Sequence, residues 1–272
     1  MSQTDQVSNT RKLAEAAVML AVGTVLSMIK FLDLPYGGSV TIACMLPVIL
    51  IAYRHGVRFG MLTGLVFGII QQLLGLNTLS YVTTWQSIVA VILLDYVIAY
   101  AMAGLGGIFR RLSSQPNALL AGTVLVCFLR YLCHVISGAT VWAGLSIPTN
   151  AALLYSIGYN ATYMIPEAIV TSVLAYYIGS ILDFGNDTIT RISRSGEKGG
   201  SVLKWIGGLL LAAALVFDVR TIFLHLQNAE TGEFDATGFL NVNWGLVAIV
   251  SAVAVIAAIA LFLIPSGKKD RA

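Results

Sequence analysis

The chain reads as an all-α integral membrane protein: six transmembrane helices, then a polar linker and two more. Three observations carry this. Hydrophobic residues make up 57% of the 272 residues and charged ones only 11%, and the mean hydropathy is +0.84, where an ordinary soluble domain carries about 25% charge. Apolar runs that suit roughly 30 Å of hydrocarbon recur at 13–32, 40–54, 57–75, 85–109, 117–142, 151–182, 202–224 and 244–264. The Lys and Arg residues fall in alternate loops, as the positive-inside rule requires.

Segment 1 follows Arg11 and Lys12, and the polar residues 1–10 lack the basic-then-apolar order of a cleaved signal, so this helix is expected to stay in the membrane. Its Ala17 and Ala21 form a flat, small-residue face suited to close helix contact. Segment 2 is short and contains Pro47, and segment 6 contains Pro166, so both are expected to kink. Gly60, Gly64 and Gly68 in segment 3 permit close approach of a neighbouring backbone.

Cations cluster at Arg11 and Lys12, Arg54 and Arg58, Arg110 and Arg111, Arg191 to Lys204, and Lys268 to Arg271. All five segments fall on one side, which predicts cytoplasmic termini. The opposite loops hold Lys30 and Arg220 and the acids Glu230, Glu233 and Asp235. The pI near 8.8 is explained by those loops, and no basic stripe interleaved with aromatics points to nucleic acid. Cys44, Cys127 and Cys133 lie inside apolar segments without metal-type spacing, so neither a disulfide framework nor a metal site is indicated. No cofactor motif is present, and the phosphate loop G-x-x-x-x-G-K-[ST] is absent, so this chain does not hydrolyse ATP. The glycine-rich stretch 183–200 divides the chain into residues 1–190, a linker over 191–200, and residues 201–272.

Chemistry concentrates in segments 4 to 6. An ionisable side chain at bilayer depth costs a few kcal/mol unless it faces a cavity or a partner, so such residues mark candidate sites. Counting 1.5 Å per residue, Asp95, His134 and Asn160 each lie roughly 15 Å below the outer surface, with Arg130 and Glu167 roughly 20–25 Å down. Arg130 and Glu167, opposite in sign, are expected to pair, and such a pair can serve only to hold two helices in register. Asp95 has no second intramembrane cation at its level, which points to a cationic ligand. Trp85, Trp142 and Tyr155 are expected to ring the same space from above. Tyr155, Tyr159 and Tyr163 share one stripe of segment 6, a pattern that packing alone also produces. Residues of this kind leave open an intramembrane enzyme using Asp95 and His134 as acid and base.

Several motifs together resemble a known family. Pro35-Tyr-Gly-Gly38-Ser-Val40, Leu93-Leu-Asp95-Tyr96, Arg130-Tyr131 with His134, Ser137-Gly138 and Trp142, and Tyr155-Ser156 with Tyr159-Asn160 and Pro166-Glu167 resemble the thiamine-specific S-component of energy-coupling factor transporters. The resemblance runs through about 180 residues in order. It implies a six-helix core in a bacterial-type plasma membrane that encloses thiamine near its outer face and is not an enzyme. It places Asp95, Tyr96, His134, Trp142, Tyr155 and Asn160 in the ligand shell, with Tyr159 and Gly38 beside them, and Tyr36 to Ser39 as a lid. It implies that Ala17 and Ala21 dock a transmembrane coupling subunit, with two ATPase subunits supplying the energy. A sibling S-component for another vitamin, such as riboflavin, is the alternative within that class. The chain departs from the pattern in its two extra helices, in Val91 where a glutamine is common, and in Gly38 where some members carry tryptophan.

Overall fold

The computed structural model describes residues 9–34, 37–111, 114–144, 149–186, 188–192, 200–225 and 236–263. Tyr36 of the expected lid, most of the linker, and the charges Glu230, Glu233, Asp235 and Lys268 to Arg271 lie outside them. The chain divides into two compact units, Met1–Arg191 and Ile192–Ala272.

The first unit contains six helices: α1 (Asn9–Met28), α2 (Leu46–His55), α3 (Val57–Leu74), α4 (Trp85–Gly107), α5 (Gln115–Gly144) and α6 (Thr149–Ile181). The second contains α7 (Gly200–His225) and α8 (Trp244–Leu263). Among the described residues six helices are long and apolar enough to cross a membrane, namely α3 to α8. Helix α1 is 20 residues long but carries Arg11, Lys12 and Glu15 in its first two turns.

Helix α2 is shorter than the apolar run that contains it. Its 10 residues rise only about 15 Å. The preceding residues instead form β2 (Ser39–Thr41), antiparallel to β1 (Lys30–Asp33), which takes over where segment 1 was expected to remain helical. Ala43, at φ 51°, turns the chain out of β2 towards α2. Pro47 falls in the first turn of α2, where no backbone hydrogen bond is lost, so the expected kink is not there. Residues Leu46 to Ala52 are buried on every side, as a helix apolar all round should be. They pack with Phe67, Tyr100, Ala103, Leu119, Val126 and Ala175 as the core of this unit.

Glycines set the helix spacing around that core. A Cβ on Gly64 would fall 2.2 Å from the Tyr100 carbonyl oxygen, one on Gly68 would fall 2.5 Å from that of Tyr96, and one on Gly122 would fall 2.0 Å from that of Gly106. The stripe on α3 thus packs on α4 at backbone contact. Helix α4 itself is irregular: Val91–Ile98 is π-helical and Met102–Gly107 is 3-10. Wide turns of this kind reorient side chains and often occur at functional positions.

One end of the unit is tied by charge. Glu15 accepts from Arg54 Nε and lies against His55 Nε2, both at 2.7 Å, and Arg54 Nη1 also donates to the carbonyls of Phe184 and Asn186. This joins α1, α2 and the segment after α6. In the second unit, buried Ala212, Ala214 and Asp218 on α7 and Ala254 and Ala258 on α8 line the contact between the two helices, and Ser251 Oγ donates to Asp218 Oδ2 at 2.5 Å. Arg220 and His225, further along α7, are exposed.

Candidate ligand-binding site

A cavity of about 450 Å³ opens among α3 to α6 and the β1–β2 hairpin. Its walls include Asp95 and Tyr96 from α4, Arg130, His134 and Trp142 from α5, and Tyr159, Asn160, Tyr163 and Glu167 from α6, with Gly38 and Thr41 from the hairpin. Seven of the eight residues expected around a ligand therefore line one space. The eighth, Tyr155, stands behind Trp142, ring centroids 4.4 Å apart, and is not among the lining residues. Trp85, expected above the site, is 71% exposed and is not part of its wall.

The aromatic side is a continuous stack. Trp142 meets Tyr159 edge-on at 5.6 Å, Tyr159 meets Tyr163 at 5.8 Å, and Tyr163 meets the His134 ring at 6.0 Å. Offset and edge-to-face arrangements of this kind suit the ring quadrupoles and present flat faces to a planar or cationic ligand. The backbone N–H of Gly38 donates to the Tyr159 hydroxyl at 3.1 Å, so the hairpin tip rests on the stack. A Cβ at Gly38 would lie 2.9 Å from both that hydroxyl and the Tyr163 ring, so no larger residue fits there without displacing them.

The polar side departs from expectation at Asp95. Asp95 is not an uncompensated carboxylate: Oδ1 is 2.7 Å from His134 Nδ1 and Oδ2 accepts from Ser137 Oγ at 2.9 Å. The expectation that it stands without a partner at its level is corrected, because the imidazole and a serine hydroxyl on the next helix supply one for each oxygen. Arg130 and Glu167 do approach, but only to 3.9 Å, and their shorter contacts go elsewhere. Glu167 accepts from the Thr41 backbone N–H at 2.7 Å and from the Thr41 hydroxyl at 2.8 Å, anchoring the inner end of β2. Arg130 donates to the Tyr100 hydroxyl at 3.0 Å and lies over the Tyr100 ring at 4.5 Å.

Asn160 is held by the protein on both sides of its amide. Its Nδ2 donates to the carbonyls of Ser156 and His134, and its Oδ1 accepts from the Tyr163 hydroxyl at 2.5 Å. Gly138 makes this possible, since a Cβ there would come 2.4 Å from Ser156 Oγ. Among the described residues two buried polar atoms of the site have no hydrogen-bond partner, His134 Nε2 and Arg130 Nε. Such an atom costs about 1–3 kcal/mol unless something supplies its hydrogen bond.

Residues that sequence reasoning did not single out also line the space. Gln71 Nε2 donates to Ser27 Oγ at 3.0 Å and the Tyr96 hydroxyl to Thr78 at 3.4 Å, near the hairpin. Tyr100 and Cys44 line it as well. The sequence signal that could have found them is an amide inside an apolar segment, Gln71, which is buried. Cys44, Cys127 and Cys133 are free and buried, and among the described residues no group of three His, Cys, Asp or Glu side chains is placed to hold a metal ion.

The chain is similar to thiamine transporter ThiT of Bacillus subtilis (strain 168), 34% identical over 175 residues that span 60% of this chain and 87% of that protein. It shares its fold with a solved structure of ThiT from Listeria monocytogenes, at a TM-score of 0.51 and 21% identity over 62% of this chain and 92% of that one. The thiamine transporter protein family (Thia_YuaJ) matches residues 13–183, a stretch that holds α3 to α6 and every wall of the cavity, and the chain belongs to that family of membrane transporters, which are not enzymes.

Proposed function

We propose that this protein is the thiamine-capturing S-component of an energy-coupling factor transporter in a bacterial-type plasma membrane. Both termini lie in the cytoplasm, thiamine enters from the outer face, and a separate transmembrane coupling subunit with two ATPase subunits drives uptake. The observation that carries the reading is the cavity wall: a stack of Trp142, Tyr159 and Tyr163 lines one space with an Asp95–His134 pair whose ring nitrogen Nε2 is buried and has no hydrogen-bond partner among the described residues. Thiamine offers a permanently cationic ring for the aromatic faces and the carboxylate field. It also offers an aminopyrimidine to hydrogen-bond with the imidazole. The ligand shell is Asp95, Tyr96, His134, Trp142, Tyr159, Asn160 and Gly38, with Tyr155 against Trp142.

Docking of the coupling subunit is assigned to α1, where Ala17 and Ala21 are exposed beside Leu13, Val18 and Val22. Calorimetric titration of the purified chain with thiamine tests the binding half, with riboflavin as control; a folded protein that takes up no thiamine refutes it. For the coupling half, Ala17→Phe or Ala21→Phe should abolish uptake in cells while thiamine affinity stays within about twofold, because only close helix approach is lost. Equal loss of both would mean that the alanines serve internal packing.

A further inference from the structure

Both carboxylate oxygens of Asp95 are engaged within the protein, one by His134 Nδ1 and one by the Ser137 hydroxyl. With Asp95 ionised the carboxylate has no proton to give, and the proton in the 2.7 Å contact then belongs to His134 Nδ1. In a neutral imidazole that assignment leaves the other nitrogen, Nε2, as a lone-pair acceptor. The ring cannot turn away from this arrangement easily. Tyr163 lies edge-on to it, Asn160 holds the His134 carbonyl, and Ser137 is three residues on, along the same face of α5. The π-helical stretch Val91–Ile98 supplies Asp95.

We propose that Asp95 and Ser137 are positioning residues that hold His134 as the Nδ1–H tautomer, so that the ligand's exocyclic amino group is recognised by His134 Nε2. Asp95 then acts on the ligand through the imidazole more than through its own charge. The proposal rests on the reading of the cavity as a thiamine site, but its central element belongs to the ligand-free protein. Ser137, fully buried, matters because its hydroxyl fills the second oxygen and keeps the first aimed at the ring.

The consequence for substitution is specific. Asp95→Asn keeps the shape but introduces an amide N–H₂, which donates to Nδ1 and drives the ring proton to Nε2. The acceptor facing the ligand becomes a donor. A neutral aminopyrimidine should then lose affinity as strongly as thiamine does, roughly 30-fold for each, since a mismatched buried hydrogen bond is the shared cause. Ser137→Ala should weaken both by roughly 5-fold, less than the full worth of a bond to a charged group because the loss reaches the ligand only through the aim of His134.

The test is ¹⁵N spectroscopy of the full chain labelled at its three histidines, His55, His134 and His225, with His134→Gln to assign the signal. Ligand-free protein should show His134 protonated at Nδ1 and bare at Nε2, Asp95→Asn should reverse this, and Ser137→Ala should populate both forms. A bare Nδ1, or an imidazolium with both nitrogens protonated, in the unsubstituted protein overturns the proposal whatever the protein binds. So does an affinity loss in Asp95→Asn that is confined to the cationic ligand. The expected tautomer in a folded protein that binds no thiamine would instead sink the reading on which the proposal rests.

Discussion

Asp95, partly buried, and Asp218, buried, are both carboxylates in apolar helices, and both accept a hydrogen bond from a serine on the neighbouring helix. They differ in what lies on the other oxygen. Asp95 Oδ1 meets an imidazole on the wall of a 450 Å³ cavity. Asp218 Oδ1 is buried and has no hydrogen-bond partner among the described residues, and the other buried residues of α7 and α8 include Ala212, Ala214, Ala254 and Ala258. An acid at bilayer depth is thus a functional mark when its partner carries the charge onward to an open space, and a clasp between helices when it does not. Cost alone, the reason such residues attract attention, does not distinguish the two.

The sharpest way to break this comparison is to remove the intermediary. His134→Ala should weaken thiamine binding by about 3 kcal/mol, roughly a hundredfold or more, as loss of a central buried contact does, with unfolding temperature changed by only a few degrees. A loss below tenfold by calorimetry would mean that Asp95 meets the ligand directly. Next in size is Glu167→Gln, which replaces one acceptor of the Thr41 pair by a donor. We expect about 2–3 kcal/mol of lost stability, read as a lower unfolding temperature of ligand-free protein, because the hairpin loses its inner anchor.

Gly138→Ala places a methyl group 2.4 Å from Ser156 Oγ, and the forced shift of α5 from α6 should cost about 1–3 kcal/mol. Part of that should appear as weaker thiamine binding, since Asn160 moves with α6. The smallest effect belongs to the second unit. Asp218→Asn, and truncation after residue 190, should each leave thiamine affinity within about twofold, although Asp218→Asn should loosen the α7–α8 pair by about 1 kcal/mol. A folded truncation that no longer binds would show that the two carboxylates are not separable in this way.

Legibility differed between residues for a physical reason. Asp95, His134, Trp142, Tyr159 and Asn160 could be singled out because each is costly or unusual inside an apolar run, and common depth on adjacent segments placed them together. Asp95 pairing with His134 could not be read, since the two are 39 residues apart and meet only where the π-helical turns of α4 direct the carboxylate to α5. Depth brought Arg130 and Glu167 together, at 3.9 Å, but not the other partners of Glu167. Arg130 lay at the right level, but the bonds to Thr41 come from residues 126 positions away, in a segment whose hydropathy looks like one more helix.

By itself the sequence determined the membrane class and the six-plus-two arrangement of helices, because hydrocarbon leaves the backbone few alternatives to helix, and it made each polar residue in an apolar run conspicuous. Only the tertiary structure decided which groups share protons and hydrogen bonds, that Tyr155 stands behind Trp142 and not in the cavity, and that residues 39–45 leave the helix. Those outcomes depend on distances of a few tenths of an ångström between side chains remote in the chain, set by glycine contacts such as Gly64 on Tyr100 and Gly138 on Ser156. Hydrophobic periodicity carries no information on that scale.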